Sequence, residues 1–271
     1  MPTPKRLRLY ILLFMAFLLT ALAVLGPVLA PYDPNEIVLH KRYHSPNSEN
    51  LLGTDQLGRD YLSRLLFAAR NSFALTLAMV LVVSSIGTLI GMASGYIGGA
   101  VDKVAMQVTD ILLSFPAVVF AIAVVGIWGT GIYRTLAALA IVSWAKYARL
   151  ARGLVVDIRH REYLTQARFG GARWYQILFK YIMPNVLPHV VVTTTADVSE
   201  MMITLSALSF LGLVSKPPTA EWGSMLANSR DLIFTRPHMA FYPSLAIFFT
   251  VVVFSLLGDS LRDSLDPKTD S

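Results

Sequence analysis

Cysteine is missing from all 271 residues. Disulfides, thiolate metal sites and cysteine nucleophiles are therefore excluded, while the compartment stays open. Charge is scarce too: Asp, Glu, Lys and Arg make up 15% of the chain, against about 25% in an ordinary soluble domain. No stretch has the form G-x-x-x-x-G-K-[ST] that cradles nucleotide phosphates. Any ATP hydrolysis through such a loop would have to come from another chain. The short alternating segments of a transmembrane barrel are also absent.

What the chain has in quantity is apolar sequence. Hydrophobic residues make up 55%, and the mean hydropathy is +0.56. They cluster into runs near the roughly 20 residues that cross a bilayer as a helix. The reading is an all-α polytopic membrane protein, since backbone polar groups in lipid must be satisfied within each helix. The net charge of +6 then reflects Lys and Arg gathered in cytoplasmic loops rather than a nucleic-acid partner.

Six runs are predicted to span: Leu9 to Ala30, Phe73 to Tyr96, Val108 to Trp128, Thr135 to Ala151, Val186 to Leu213 and Phe241 to Leu257. The first follows Lys5, Arg6 and Arg8. Val28-Leu29-Ala30 has the look of a signal cleavage site, but the run is long for a signal peptide and Pro31 disfavours cleavage, so a retained anchor is expected. Both termini are expected in the cytoplasm. The chain then divides into an anchor (1–30), an external loop with a surface helix (31–71), a core of five spans (72–260) and a cytoplasmic tail (261–271). The basic loop at 152–184 falls inside, as the positive-inside rule asks. The external loop carries Lys41, Arg42, Arg59, Arg64 and Arg70 against that rule, and the count of spans is given more weight.

The basic loop reads as helix, turn, helix. Arg161 to Phe169 is helical, Gly170-Gly171 breaks it, and Ala172 to Met183 resumes it, with Trp174, Ile177, Leu178 and Tyr181 on one face. Pro184 stops this helix and opens the next span. An exposed aromatic patch on a loop needs a partner.

These residues resemble the cytoplasmic loop of ABC-importer permeases, whose pattern is Glu-Ala-Ala, three residues, Gly, nine residues, Ile-x-Leu-Pro. Here it falls on Thr165-Gln166-Ala167, Gly171 and Tyr181-Ile182-Met183-Pro184, with Glu162 as the candidate acid. LLGTDQLGRDYLSRLLFAAR, GYIGGAVDKVAMQVTDILLSFP, LSFLGL, PPTAEWGSML and LLGDSLRDSLDP are similar to the peptide/nickel class of these permeases, in order and over nearly the whole chain. The resemblance implies a type I ABC importer permease fold of about six transmembrane helices in a bacterial cytoplasmic (inner) membrane. It implies a second homologous permease subunit, two cytoplasmic ATPase subunits holding ATP and Mg, and an extracytoplasmic solute-binding protein. This chain itself would bind no cofactor and perform no covalent chemistry. Glu162, Thr165, Ala167, Gly170, Gly171, Trp174, Tyr181 and Pro184 would form the loop that couples it to the ATPases.

Elsewhere the candidates come from the residues themselves. Asp197 and Glu200 stand three apart inside a span, on one face. Acids at membrane depth face an interior or a wet cavity. They either line the substrate pathway, with Met201 beside them, or pair against a neighbouring subunit. Met201-Met202 reads mainly as packing, and His40 and His44 read as a solvated loop rather than a metal site. Asp55, Arg59 and Asp60, with an Asp60–Arg64 pair along a helix, form either a tie over the outer mouth or a contact with a delivering protein. The stiff stretch from Lys216 to Trp222 is a second candidate contact. The resemblance, most of all that of the stretch from Trp144 to Arg152 and of the PTAEWG segment, implies nickel or metal chelates as cargo, with dipeptides or oligopeptides close behind. A secondary transporter would show paired discontinuous helices, and none is apparent. A membrane enzyme would have only Asp110 and Asp259 near span ends to work with, and neither has a nucleophile or metal partner.

Overall fold

The computed structural model describes residues 4–214 and 218–265. Lys216 and Pro217 of the second candidate contact, and the tail from 266 onward, lie outside the described residues.

Ten α-helices account for most of the described chain, with no strand among them. Helix α1 (Pro4–Leu29) covers the run read as an anchor, and it is long and apolar enough to cross a membrane. It buries a narrow stripe, Leu12, Ala16, Ala23 and Gly26, and leaves Phe14, Phe17 and Leu18 exposed.

The segment from Pro31 to Asp60 is irregular apart from one short turn at Leu39–Lys41. Helix α2 (Tyr61–Ile97) then runs for 37 residues, about 55 Å at 1.5 Å per residue. This corrects one expectation. Residues 61–71 are not a separate surface helix; they are the first turns of α2. Asp60 starts the helix by accepting the Ser63 backbone N–H at 2.8 Å. No proline interrupts it, and Gly98, whose φ is +70°, ends it.

The third expected span is broken in two. Helices α3 (Gly99–Leu113) and α4 (Ala117–Trp128) are bent by 85°. Pro116 sits at the break, has no N–H to donate, and biases Phe115 away from helical angles. Helix α5 (Ile132–Ile158) overruns the fourth expected span at both ends. Four helices among the described residues are long and apolar enough to cross a membrane, and α3 with α4 makes a fifth. Helix α5 has the length for a sixth, but Lys146, Arg149 and Arg152 take away its apolarity.

After α6 (Glu162–Phe169) and α7 (Trp174–Gln176) the chain widens into a π turn at Ile177–Ile182 and continues as α8 (Met183–Phe210). Pro184 therefore does not stop a helix, contrary to expectation: Trp174–Phe210 is one continuous run. Bonds of the i→i+5 kind in the wider turn accommodate the missing proline N–H. Helices α9 (Trp222–Asn228) and α10 (Pro237–Leu265) complete the described residues.

Two apolar cores hold the bundle. One joins α2, α5, α8 and the basic loop through Val83, Leu139, Val155, Leu164, Ile182 and Leu205. The other joins α1, α2, α9 and α10 through Ala69, Phe73, Trp222 and Phe254. Lipid offers no hydrophobic drive between helices, so close approach by small residues matters. Gly87 and Gly91 of α2 meet α5 so closely that an added Cβ would lie 2.2 Å from the Trp144 and Ala148 carbonyl oxygens respectively. Ala145, Ala148 and Ala151 form the facing stripe, all fully buried.

Candidate translocation cavity and coupling loop

Helix α5 carries three cations spaced by three residues, each paired with acid from another helix. Lys146 Nζ lies 2.8 Å from Asp197 Oδ1 and 3.0 Å from Glu200 Oε2, both on α8. Arg149 pairs with Asp110 of α3. Arg152 holds Asp102, also of α3, with two bonds of 3.0 Å and 2.6 Å. A charge at membrane depth is costly unless paired or wetted, and this ladder gives each cation a carboxylate.

The first rung opens into a cavity of about 220 Å³ lined by Val83, Ser143, Lys146, Tyr147, Asp197, Glu200 and Met201, among others. Glu200 is largely exposed and Asp197 mostly covered, at 73% and 13% of their side chains. The three residues expected to line a pathway, Asp197, Glu200 and Met201, thus share one cavity wall. Met202 points elsewhere, into the second core. Lys146, Arg149, Arg152 and Tyr147 were missed. The signal was present: Lys146 and Arg149 fall inside the expected fourth span, where a cation is functional by default. Thr193 and Thr195 donate to the backbone one turn back, at His189 and Val191, and carry nothing further.

The basic loop folds back on the end of α5. Leu164, Ile177, Leu178 and Ile182 are buried. Helix α6 ends in a left-handed reversal: the N–H groups of Gly171 and Ala172 donate to the Arg168 and Ala167 carbonyls, both at 3.0 Å. Gly171 has φ +79°, a conformation that glycine adopts without strain. Helix α7 restarts where the Arg173 N–H donates to Gln176 Oε1 at 2.8 Å. The expected single face of Trp174, Ile177, Leu178 and Tyr181 is divided. Ile177 and Leu178 turn into the core, because the wide turn rotates them relative to Trp174, which stays 64% exposed. Phe169, at the end of α6, is 87% exposed. Gln166, Ala167, Gly170, Gly171, Tyr163 and Tyr181 border an open groove of about 590 Å³. Thr165 and Glu162 lie on the exposed side of α6, and Arg168 stacks over the Tyr96 ring at 5.1 Å, joining the loop to the end of α2.

At the opposite end of the bundle, Asp55 accepts from Arg59 Nε at 2.7 Å and faces Arg64 Nε at 3.3 Å. Asp60 caps α2 and accepts the Asn50 amide at 2.8 Å. The expected Asp60–Arg64 pair is therefore replaced by Asp55–Arg64, because capping turns Asp60 toward Ser63. Arg64 also donates to the Pro34 carbonyl at 2.9 Å. Asp55, Arg59, Asp60 and Trp222 are all buried. A contact with a delivering protein would need their side chains at the surface; they face inward. Trp222 donates its ring N–H to the Leu65 carbonyl at 3.3 Å. Glu221 caps α9 through the Gly223 and Ser224 N–H groups, and burial pushes its carboxyl above the usual range. Among the described residues no group of three or more His, Asp or Glu is placed to hold a metal ion.

Residues 87–271, more than half of the chain, match the model of the binding-protein-dependent transport system inner membrane component. The nickel transport system permease protein NikC of Escherichia coli is 41% identical over 250 residues, covering 92% of this chain and 90% of the relative. The glutathione transport system permease protein GsiD of Pectobacterium atrosepticum is 43% identical over 255 residues, covering 94% and 85%.

Proposed function

The chain belongs to the binding-protein-dependent transport system inner membrane components, and on that premise we propose how it is assembled and what it carries. It is a multi-pass inner-membrane permease subunit of an ABC importer and not an enzyme. Both termini lie in the cytoplasm. A second homologous permease subunit completes the channel, two ATPase subunits dock below with ATP and Mg, and an extracytoplasmic solute-binding protein delivers cargo above.

The observation that carries the reading is the basic loop. Its inner face is built into the core shared by α2, α5 and α8, while Phe169 and Trp174 stand exposed on either side of the Gly171 reversal in sequence. A segment fixed to the spans on one side and apolar on the other transmits force from a docked partner. Glu162, Thr165, Ala167, Gly170, Gly171, Trp174, Tyr181 and Pro184 belong to that coupling element. Asp197, Glu200 and Met201 line the path of the cargo. Asp55, Arg59 and Asp60, with Trp222, tie the outer segment to the bundle. The cargo is nickel or a metal chelate, or a small peptide, since one relative is named for nickel and another for glutathione.

The test is recovery of the tagged chain from its native membranes in mild detergent, with mass spectrometry of what accompanies it. A second permease and ATPase subunits are expected. The chain alone, from a preparation that keeps other membrane complexes intact, would overturn the assembly.

A further inference from the structure

The cavity was expected to attract a cation, on the strength of Asp197 and Glu200. The structure places a cation there already. Lys146 Nζ sits between the two carboxylates at 2.8 Å and 3.0 Å. Two acids and one ammonium leave a single net negative charge. An ammonium has three donors and no acceptor, so it takes the position that an incoming cation would need.

Consider what each kind of cargo meets. A bare divalent cation must displace Lys146 from both acids and leaves that half-exposed ammonium with no anion, in a cavity whose other walls are mainly apolar (Val80, Val83, Leu139, Val142 and Met201) with Ser143 and Thr204 among them. At membrane depth an ammonium without its carboxylates is unfavourable. A cargo with a carboxylate and a cationic group makes an exchange instead. Its carboxylate takes Lys146, and its cation takes the exposed Glu200. Tyr147 closes the same wall, its hydroxyl buried next to Asp197 and Thr194.

We propose that Lys146 is a specificity-determining residue. It makes this cavity one for dipolar cargo, with an anionic and a cationic group together, and turns away a bare divalent cation. A metal would then pass only in a complex that presents carboxylate. This rests on the pathway reading given above for Asp197 and Glu200.

The test uses the whole importer, purified through a tag on this chain, in proteoliposomes with its binding protein outside and ATP inside. Four probes are compared: ¹⁴C-dialanine, its C-terminal amide, ⁶³Ni²⁺ with excess histidine, and ⁶³Ni²⁺ as the aqua ion. In the unaltered complex, dialanine or the histidine complex is taken up and the aqua ion is not. Lys146→Met lowers uptake of the carboxylate-bearing probe at least about tenfold relative to that of its carboxylate-free counterpart, the loss of one charged pairing worth about 1.4 kcal/mol. Lys146→Arg restores most of the ratio. The ratio matters because the binding protein is the same throughout, and a merely structural role would lower both probes alike.

Equal loss for both probes, or no loss, overturns the proposal. So does uptake of the aqua ion by the unaltered complex, which needs no variant to fold. Uptake of none of the probes by a complex that hydrolyses ATP overturns the dipolar class. Failure of ATPase subunits to co-purify instead sinks the importer assembly beneath it, so the two failures are distinct.

Discussion

Replacing Gly91 with alanine tests the seam that holds the cavity in place. The added Cβ would lie 2.2 Å from the Ala148 carbonyl oxygen and 2.9 Å from its carbonyl carbon and Cα. All three are backbone atoms of α5, so no side chain can swing aside. Restoring a contact distance of about 3.5 Å requires α2 and α5 to part by about 1 Å, and a gap of that size forfeits about a quarter to a half of the dispersion energy across it. Overpacking of this kind costs about 1–3 kcal/mol, or about 5- to 150-fold in the ratio of folded to unfolded chain. Helix α5 also carries Lys146, so the cavity shifts with it. The assay is unfolding of the purified chain by sodium dodecyl sulfate in mixed micelles, followed by the fluorescence of its four tryptophans. Gly126→Ala is the control, since nothing lies within 4 Å of a Cβ there, and alanine gains up to about 1 kcal/mol over glycine inside a helix. Gly91→Ala unfolding at the same detergent fraction as the unaltered chain would refute the close-approach argument. Equal destabilisation by Gly126→Ala would do so as well.

Gly171→Val places a β-branched residue at φ +79° with nothing within 4 Å to clash. The cost is backbone strain alone, about 1–2 kcal/mol, so insertion should persist while ATP-driven uptake by the complex falls steeply; normal uptake would show that the reversal does not matter. Asp55→Asn leaves Arg59 and Arg64 buried without their counter-charge, each side chain being only 4% exposed. A loss of about 3–5 kcal/mol is expected, read as faster proteolytic nicking between Pro31 and Asp60, and unchanged nicking counts against the tie. Glu221 gives a pH signature. Because burial raises its folded value above the ordinary 4.5, its contribution is full below 4.5 and is lost as pH rises through the raised value. Thermal stability should therefore fall over that window in the unaltered protein and stay flatter in Glu221→Gln; parallel curves would mean that the carboxyl is not the source.

The helical class was legible because apolar runs of spanning length leave few alternatives. Their breaks were not. The run from Val108 to Trp128 reads as one span, and only the pair Phe115-Pro116 signals the 85° bend. The first turns of α2 looked like a separate surface helix because Arg64 and Arg70 interrupt the apolar pattern. Arg64 is in fact buried against Asp55, a pairing from an irregular segment that periodicity cannot reveal. Asp197 and Glu200 stood out as acids in a span, and their partner Lys146 did not. The pair is joined only when α5 packs beside α8, some 50 residues later in the chain. Gly171 was legible from its place before a resumed helix, whereas the way Trp174 parts from Ile177 depends on a π turn that no simple period describes.

The absence of cysteine gives the most direct test of the central claim that this chain receives force from an ATPase through its basic loop. A single cysteine placed at Phe169, 87% exposed in the loop, or at Phe234, 99% exposed between α9 and α10, has no competing thiol in this chain. Each is labelled with a benzophenone maleimide and irradiated in native membranes. The account predicts that Phe169→Cys forms an adduct with an ATPase subunit and that Phe234→Cys does not. An ATPase adduct at Phe234→Cys with none at Phe169→Cys would contradict both the coupling role of the loop and the orientation of the chain.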